Sequence, residues 1–274
     1  MNSLDAEVIR LRLQGPIRER LASIRVFAEI DSTNSYLMQS SAPQAGRVSV
    51  AITNNQTAGR GRHGKTWQSP AGSGLCLSIA YTFVKQPDDL PSLTLALGLA
   101  AICAMEKLGA SGVKLKWPND LVALDGKLAG ILTEVHSQSS TAVTVVAGIG
   151  VNVDLQDEIA LDENASWAGR AIDLKAICAV QPEYDELARQ LITEMLQACI
   201  DFDAAGFAQA AERWPKHDWL LGREIAVDTN NRRILGIGAG ISSGGALLIE
   251  TPESGVQRVS SGVIVSASVG EANP

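Results

Sequence analysis

The feature that most narrows the fold of this 274-residue chain is a change of texture after Trp219. From there on, five short segments rich in aliphatic and β-branched residues (REIAVD, RRILGIGAGI, ALLIE, VQRV and GVIVSA) are separated by TNN, SSGG, TPESG and SSG. Asn, Gly, Pro and Ser at such intervals are turn chemistry, since they tolerate positive φ, fix φ or bond locally to the backbone. Five strands in so short a stretch predict a small antiparallel barrel beginning near residue 220. Upstream, the runs at 48–53 (VSVAIT), 75–81 (LCLSIAY), 113–116 (VKLK), 128–135 (LAGILTEV) and 143–153 (VTVVAGIGVNV) read as strands. Residues 93–108 read as a buried helix stopped by Gly109, and 184–202 and 207–214 as amphipathic helices. Residues 4–25 carry helical spacing broken at Gly15-Pro16, which predicts a short helical appendage.

Charge and cysteine usage exclude several classes of function. With 23 Lys+Arg against 30 Asp+Glu the net charge is -7, so whole-surface attraction to nucleic acid or anionic lipid is disfavoured and any polyanion must bind locally. Cys76, Cys103, Cys178 and Cys199 are scattered without a CxxC pair, as expected of reduced thiols. Asp5 and Glu7 precede any apolar run, so no secretory signal is visible, and the apolar stretch 93–105 is shorter than the roughly 20 residues of a membrane span. These features predict a cytoplasmic protein with no membrane partner.

The chemistry-bearing residues cluster in five places. Residues 57–74, TAGRGRHGKTWQSPAGSG, hold five glycines with Arg60, Arg62, Lys65, His63 and Trp67. Glycines let a backbone approach a ligand, and closely spaced guanidiniums suit phosphate or carboxylate oxygens, so an anion site is one reading. A solvated hairpin loop and an RNA-contacting loop with Trp67 as a stacking platform are the alternatives. In KLKWPND (114–120), Lys114 and Lys116 precede a Pro-forced extended exit with Asn119 and Asp120 at its mouth, which either holds a metal-bound phosphate or a ribose hydroxyl or is an ordinary turn. Lys127 and Gly130 follow a second turn whose Gly126 suits a hairpin. IDSTN (30–34) reads as a helix N-cap that can also face a ligand, and GIGVN (148–152) as a glycine-marked bulge or a strand end beside a phosphate.

In this order, IDSTN, Gln56 with AGRGRHG, Trp67, KWPND, KLAGI and GIGVNV resemble biotin protein ligase over residues 28–268. The resemblance implies an α+β fold: a mixed central β-sheet flanked by helices, related to class II aminoacyl-tRNA synthetase catalytic domains, with an SH3-like barrel. Its divisions would be 1–27 as a helical extension, 28–219 as the catalytic domain and 220–274 as the barrel. It implies that biotin and MgATP form biotinyl-5'-adenylate, and that a lysine of a biotin carboxyl carrier protein of acetyl-CoA carboxylase or a related carboxylase then takes the biotinyl group. Carried over by motif, Ser32, Thr33, Asn34, Gln56, Gly59, Arg60, Gly61 and Arg62 would line the biotin site. Arg62, Lys127 and Lys116 would carry the chemistry, Trp67 would cover adenine, and Gly130, Asn119, Asp120 and Asn152 would lie towards the nucleotide, Asp120 nearest Mg2+.

The resemblance also sets two departures. About 28 residues precede the motif-bearing region, too few for the helix-turn-helix that makes many bacterial members repressors, so specific DNA binding is not expected. The C-terminal pattern reads Ser261-Gly262-Val263-Ile264-Val265-Ser266-Ala267, lacking the acid and arginine common in the family. A lipoate or octanoyl ligase and a non-catalytic biotin- or nucleotide-binding regulator are the rival readings, and a homodimer is left open.

Overall fold

The computed structural model describes residues 4–68, 70–139, 142–155, 171–229 and 231–269. Helices α1 (Ala6–Arg12) and α2 (Gly15–Arg20) lead into strand β1 (Leu21–Phe27), followed by α3 (Thr33–Gln39), β2 (Val48–Thr53) and β3 (Gly74–Thr82). Helix α4 (Leu93–Lys107) precedes β4 (Lys114–Lys116), β5 (Asp120–Ala123), β6 (Gly126–Gln138) and β7 (Val143–Asn152). Helices α5 (Leu174–Ile177), α6 (Tyr184–Ala205) and α7 (Ala208–His217) complete this half. The strands form one mixed sheet in the order β1-β2-β3-β7-β6-β5-β4, in which only the β1/β2 pair is parallel.

Period-two alternation splits this sheet into two unlike faces. Val50, Ile52, Leu75, Leu77, Ile79, Val145, Ile149 and Val151 point into a core closed by α4 and α6. Their alternates, Cys76, Ser78, Gly148 and Gly150, are small and line a cleft on the opposite face, where α3 packs through Leu37 on Ala51, Ala80 and Val146. Gly98 lets α4 come this close to the sheet, since a Cβ there would sit 2.2 Å from Leu115 Cδ1.

Two expectations change in this half. The helical spacing of 4–25 ends at Arg20: Leu21–Phe27 is an edge strand paired in parallel with β2, so the extension is helical only over its first part. The reason is packing, because Ile9, Leu13 and Ile17 are buried in the main core and deliver the chain to the sheet edge. Between KWPN and Gly126 lies the unforeseen strand β5, and the hairpin it makes with β6 turns on Leu124 (φ 46°) and Asp125 (φ 55°), with Gly126 already in the strand. The window Leu90–Lys107 is long and apolar enough by composition to cross a membrane, but 67% of it is buried, as befits a core helix.

Strands β8 (Arg223–Asp228), β9 (Arg233–Ile241), β10 (Leu247–Thr251), β11 (Gly255–Val259) and β12 (Val263–Val269) match the five segments read after Trp219. They form an antiparallel sheet in the order β11-β10-β9-β8-β12, which is open rather than closed, with β11 and β12 as its edges. Trp117 Nε1 donates to Gly245 O at 3.1 Å and fastens this sheet to the first half.

Candidate active site

A cleft of about 750 Å³ lies on the small-residue face of the mixed sheet, a size suited to an organic ligand. Its floor is made by glycines. A Cβ on Gly148 would meet Asn34 Oδ1 at 2.1 Å, and one on Gly150 would meet the Trp67 indole at 2.3 Å. A Cβ on Gly130, which pairs with Gly150 across β6 and β7, would lie 3.4 Å from the same ring. The register of β6 and β7 runs without interruption past these residues, so GIGVN is no bulge; its glycines let side chains lie directly on the sheet.

One wall is the loop that follows Gln56. Gly61 N donates to Lys65 O at 2.7 Å and Trp67 N to Gly59 O at 2.9 Å, so the stretch folds back as a hairpin whose tip is His63 (φ 55°) and Gly64 (φ 74°). The hairpin and binding-loop readings are therefore compatible. Gly59 does not face the cleft; it is needed because a Cβ there would lie 2.3 Å from Trp67 O.

At the α3 end, neutral side chains satisfy one another. Ser32 caps α3, accepting from Ser35 N at 3.3 Å, and thereby aims Thr33 and Asn34 into the cleft. Gln56 Oε1 accepts from Thr33 N at 2.8 Å and Thr33 Oγ1 at 3.0 Å. Thr33 Oγ1 and Ser78 Oγ are 2.7 Å apart, and Ser78 Oγ donates to Asn34 Oδ1 at 2.6 Å. Asn34 Nδ2 donates to Glu134 Oε2 at 3.0 Å, and the other Glu134 oxygen pairs with Arg60.

The KWPND end is cationic. Asp120 accepts from Lys127 Nζ at 2.8 Å and Lys116 Nζ at 3.2 Å. Lys116 is buried, which pulls its pKa down to about 8 although Asp120 opposes the shift. Burial would raise the Asp120 carboxyl, but Lys127 and Lys116 outweigh it and hold the group below the usual carboxylate range. Arg62 Nη1 donates to Asn119 Oδ1 at 3.2 Å, and burial lowers its guanidinium from the ordinary arginine value while Asp120 pulls the other way. Lys127 Nζ stands 5.5 Å from the centre of the Trp67 ring. Arg62, Lys65, Lys116 and Lys127 line this end against one carboxylate, Asp120, so it carries excess positive charge in a partly dry setting.

The cleft thus brings together Ser32, Thr33, Asn34, Gln56, Arg60, Gly61, Arg62, Trp67, Lys116, Asn119, Asp120, Lys127 and Gly130. Asn152 stands apart: its amide donates to Lys127 O and Ile172 O, both at 3.1 Å, and so braces the Lys127 backbone from behind. Sequence reasoning missed Ser78 and Glu134. The signal was available in strand alternation, since Ser78 is two residues from Cys76, and Glu134 four from Gly130, on the cleft face. Gly262, Val263, Ile264 and Val265 also line the cleft, so the second sheet reaches it with apolar side chains. No group of three or more His, Cys, Asp or Glu suited to a metal occurs among the described residues.

Residues 26–152 match the biotin/lipoate A/B protein ligase family, and 220–265 match the biotin protein ligase C-terminal domain. The bifunctional ligase/repressor BirA of Escherichia coli is 35% identical over 231 residues, covering 83% of this chain and 69% of that protein. The biotin-[acetyl-CoA-carboxylase] ligase of Mycobacterium tuberculosis is 32% identical over 231 residues, covering 82% of each. A biotin protein ligase from Aquifex aeolicus, in complex with biotin and ATP, superposes with TM-score 0.73 at 28% identity over 89% of this chain and 97% of that one. The motifs, the glycine floor and relatives that span most of both chains lead to one conclusion: this chain belongs to the biotin protein ligase family.

Proposed function

We propose that the cleft joins biotin to the α-phosphate of ATP and passes the biotinyl group to a lysine of a biotin carboxyl carrier protein. The observation that carries this is a neutral hydrogen-bonding ring and a cationic cluster side by side on one glycine floor. A ureido group needs both donors and acceptors, which Thr33, Asn34, Gln56 and Ser78 supply; a lipoyl or octanoyl chain has nothing to bond there. The biotin carboxylate would then point towards Arg62, Lys116 and Lys127. In the first step a carboxylate oxygen attacks the α-phosphorus and pyrophosphate leaves. Two anions must meet, so the excess positive charge around Asp120 lowers the barrier by offsetting their repulsion. In the second step the neutral carrier amine attacks the activated carbonyl, AMP departs and the amine loses a proton.

Magnesium would arrive as MgATP, which brings its own phosphate oxygens. Asp120 is the one carboxylate on the described cleft wall, and its two lysine partners leave it suited to assist such a complex rather than to hold a bare ion. Trp67 would flank the nucleotide from its place on Gly150. We assign 28–219 to catalysis and 220–274 to a C-terminal unit of SH3-like kind. The carrier is assigned to acetyl-CoA carboxylase because relatives bear that name. Specific DNA binding is not expected, since α1 and α2 are committed to the core through Ile9, Leu13 and Ile17.

Biotin-dependent exchange of labelled pyrophosphate into ATP, with lipoate and octanoate as controls, tests the reading. Exchange with biotin alone is expected. Exchange with octanoate in preference to biotin, or binding of biotin without any exchange, would replace it with one of the rivals.

A further inference from the structure

Glu134 lies on β6 opposite Val146 and belongs to none of the sequence motifs, yet both of its oxygens bond side chains that line the cleft. One pairs with Arg60 of the hairpin loop, and the other accepts from Asn34 Nδ2 at 3.0 Å. Asn34 Nδ2 also donates to Leu132 O at 3.3 Å. Both partners of this nitrogen can only accept, so a flipped amide would set an oxygen against a carbonyl and a carboxylate. Glu134 therefore fixes which way the Asn34 amide faces, and with it the direction of the bond from Ser78. The path continues through the Thr33 hydroxyl, which bonds Ser78, and through Thr33 N, which donates to Gln56 Oε1, four residues before Arg60. It closes a ring whose two ends are the start of the hairpin loop and the loop's own arginine.

We infer that Glu134 is a positioning residue: it latches the loop that carries Arg60 and Arg62 to the sheet and sets the donor and acceptor pattern that the neutral end offers to the ligand. The assignment of that ligand as biotin rests on the function proposed above; the latch does not. A surface ion pair between half-exposed groups contributes little, whereas here one side of Glu134 is tied to a buried amide. With the latch cut, the loop should open more often and biotin should bind more weakly, while a bound substrate reacts at nearly the ordinary rate.

The test uses the full chain with Glu134→Gln, which keeps the shape but loses the ion pair. Limited trypsin digestion should cleave after Arg62 and Lys65 about fivefold faster than in the parent chain, the size expected when a local opening loses one modest interaction. In pyrophosphate exchange the biotin KM should rise about tenfold with kcat changed by less than about twofold, the pattern of lost binding rather than lost chemistry. Because Gln can still accept from Asn34 Nδ2 and only the pairing with Arg60 is lost, the double variant with Arg60→Gln should be no worse than Arg60→Gln alone. Unchanged cleavage, additive KM effects, or a loss confined to kcat would overturn the proposal. If Glu134→Gln loses its thermal transition, Arg60→Gln must still speed cleavage at Arg62 and Lys65, and failure to do so is equally fatal. A parent chain inactive with biotin would refute the ligase reading, and the digestion would still decide the latch.

Discussion

At the α3 end of the cleft, Thr33, Asn34, Gln56 and Ser78 spend their hydrogen bonds on one another; at the KWPND end, Lys116 and Lys127 share Asp120 while Arg62 leans on Asn119. In the first region the cost of burying polar atoms is met inside the protein, so its shape exists before any ligand arrives. In the second, positive charge exceeds negative charge in a partly buried place, and only an anionic ligand completes the compensation. Recognition is built into one region and charge stabilisation is held in reserve in the other, which suits an enzyme that must grip a neutral ring and join two anions.

Removing a cation should separate the regions most sharply. Lys127→Ala is expected to raise the adenylation barrier by about 2.7–4 kcal/mol, by analogy with other charge-stabilising donors, while biotin KM changes little. Pyrophosphate exchange at saturating biotin and ATP measures it, and a variant of normal turnover would make Lys127 a bystander.

The floor glycines allow each region to be disturbed from below. Gly148→Ala places a methyl 2.1 Å from Asn34 Oδ1 and should raise biotin KM, whereas Gly150→Ala places one 2.3 Å from the Trp67 indole and should shift its fluorescence and weaken ATP binding. Overpacking of this kind costs about 1–3 kcal/mol. Identical effects of both variants on both KM values would show that the two regions are one.

Arg62→Ala should still make the adenylate but release it about tenfold faster, the loss expected when a charged hydrogen bond to a bound anion is removed. Rapid filtration of the enzyme-bound adenylate reports retention directly. Retained adenylate with abolished synthesis would place Arg62 in the first step instead.

The smallest effect expected is a pH dependence of stability from Lys116. Burial depresses its folded-state pKa to about 8, below the ordinary lysine value of 10.5, so between those values the unfolded chain binds more protons. Stability from this residue therefore rises as pH increases from about 8 to 10.5, and the buried charge is destabilising below that window. The Tm advantage of Lys116→Met over the parent chain should shrink between pH 7 and pH 9.5, a range chosen to straddle a folded-state pKa of about 8. An advantage independent of pH would mean that the group does not titrate there.

Much of this architecture was legible in local sequence. Apolar runs bounded by turn residues located strands β2, β3, β6 and β7 and all five strands of the second sheet, because alternation and turn chemistry are written within a few residues. The glycine and cation motifs located most of the cleft, since close backbone approach and anion binding demand particular residue types wherever they occur. Whether Leu21–Phe27 became a helix or a strand was not local: pairing with β2 decided it, as tertiary contact routinely overrides weak periodicity.

The sequence by itself determined which residue types this cleft could draw on and the face of each strand they would occupy. Tertiary structure alone decided their partners: antiparallel register set Gly130 beside Gly150, the β4–β5 turn set Asp120 between Lys116 and Lys127, and the folded loop carried Arg60 to Glu134, 74 positions away in sequence. Side-chain alternation is a property of one strand, whereas register and loop closure are properties of pairs of segments, and no single segment encodes the position of its neighbour.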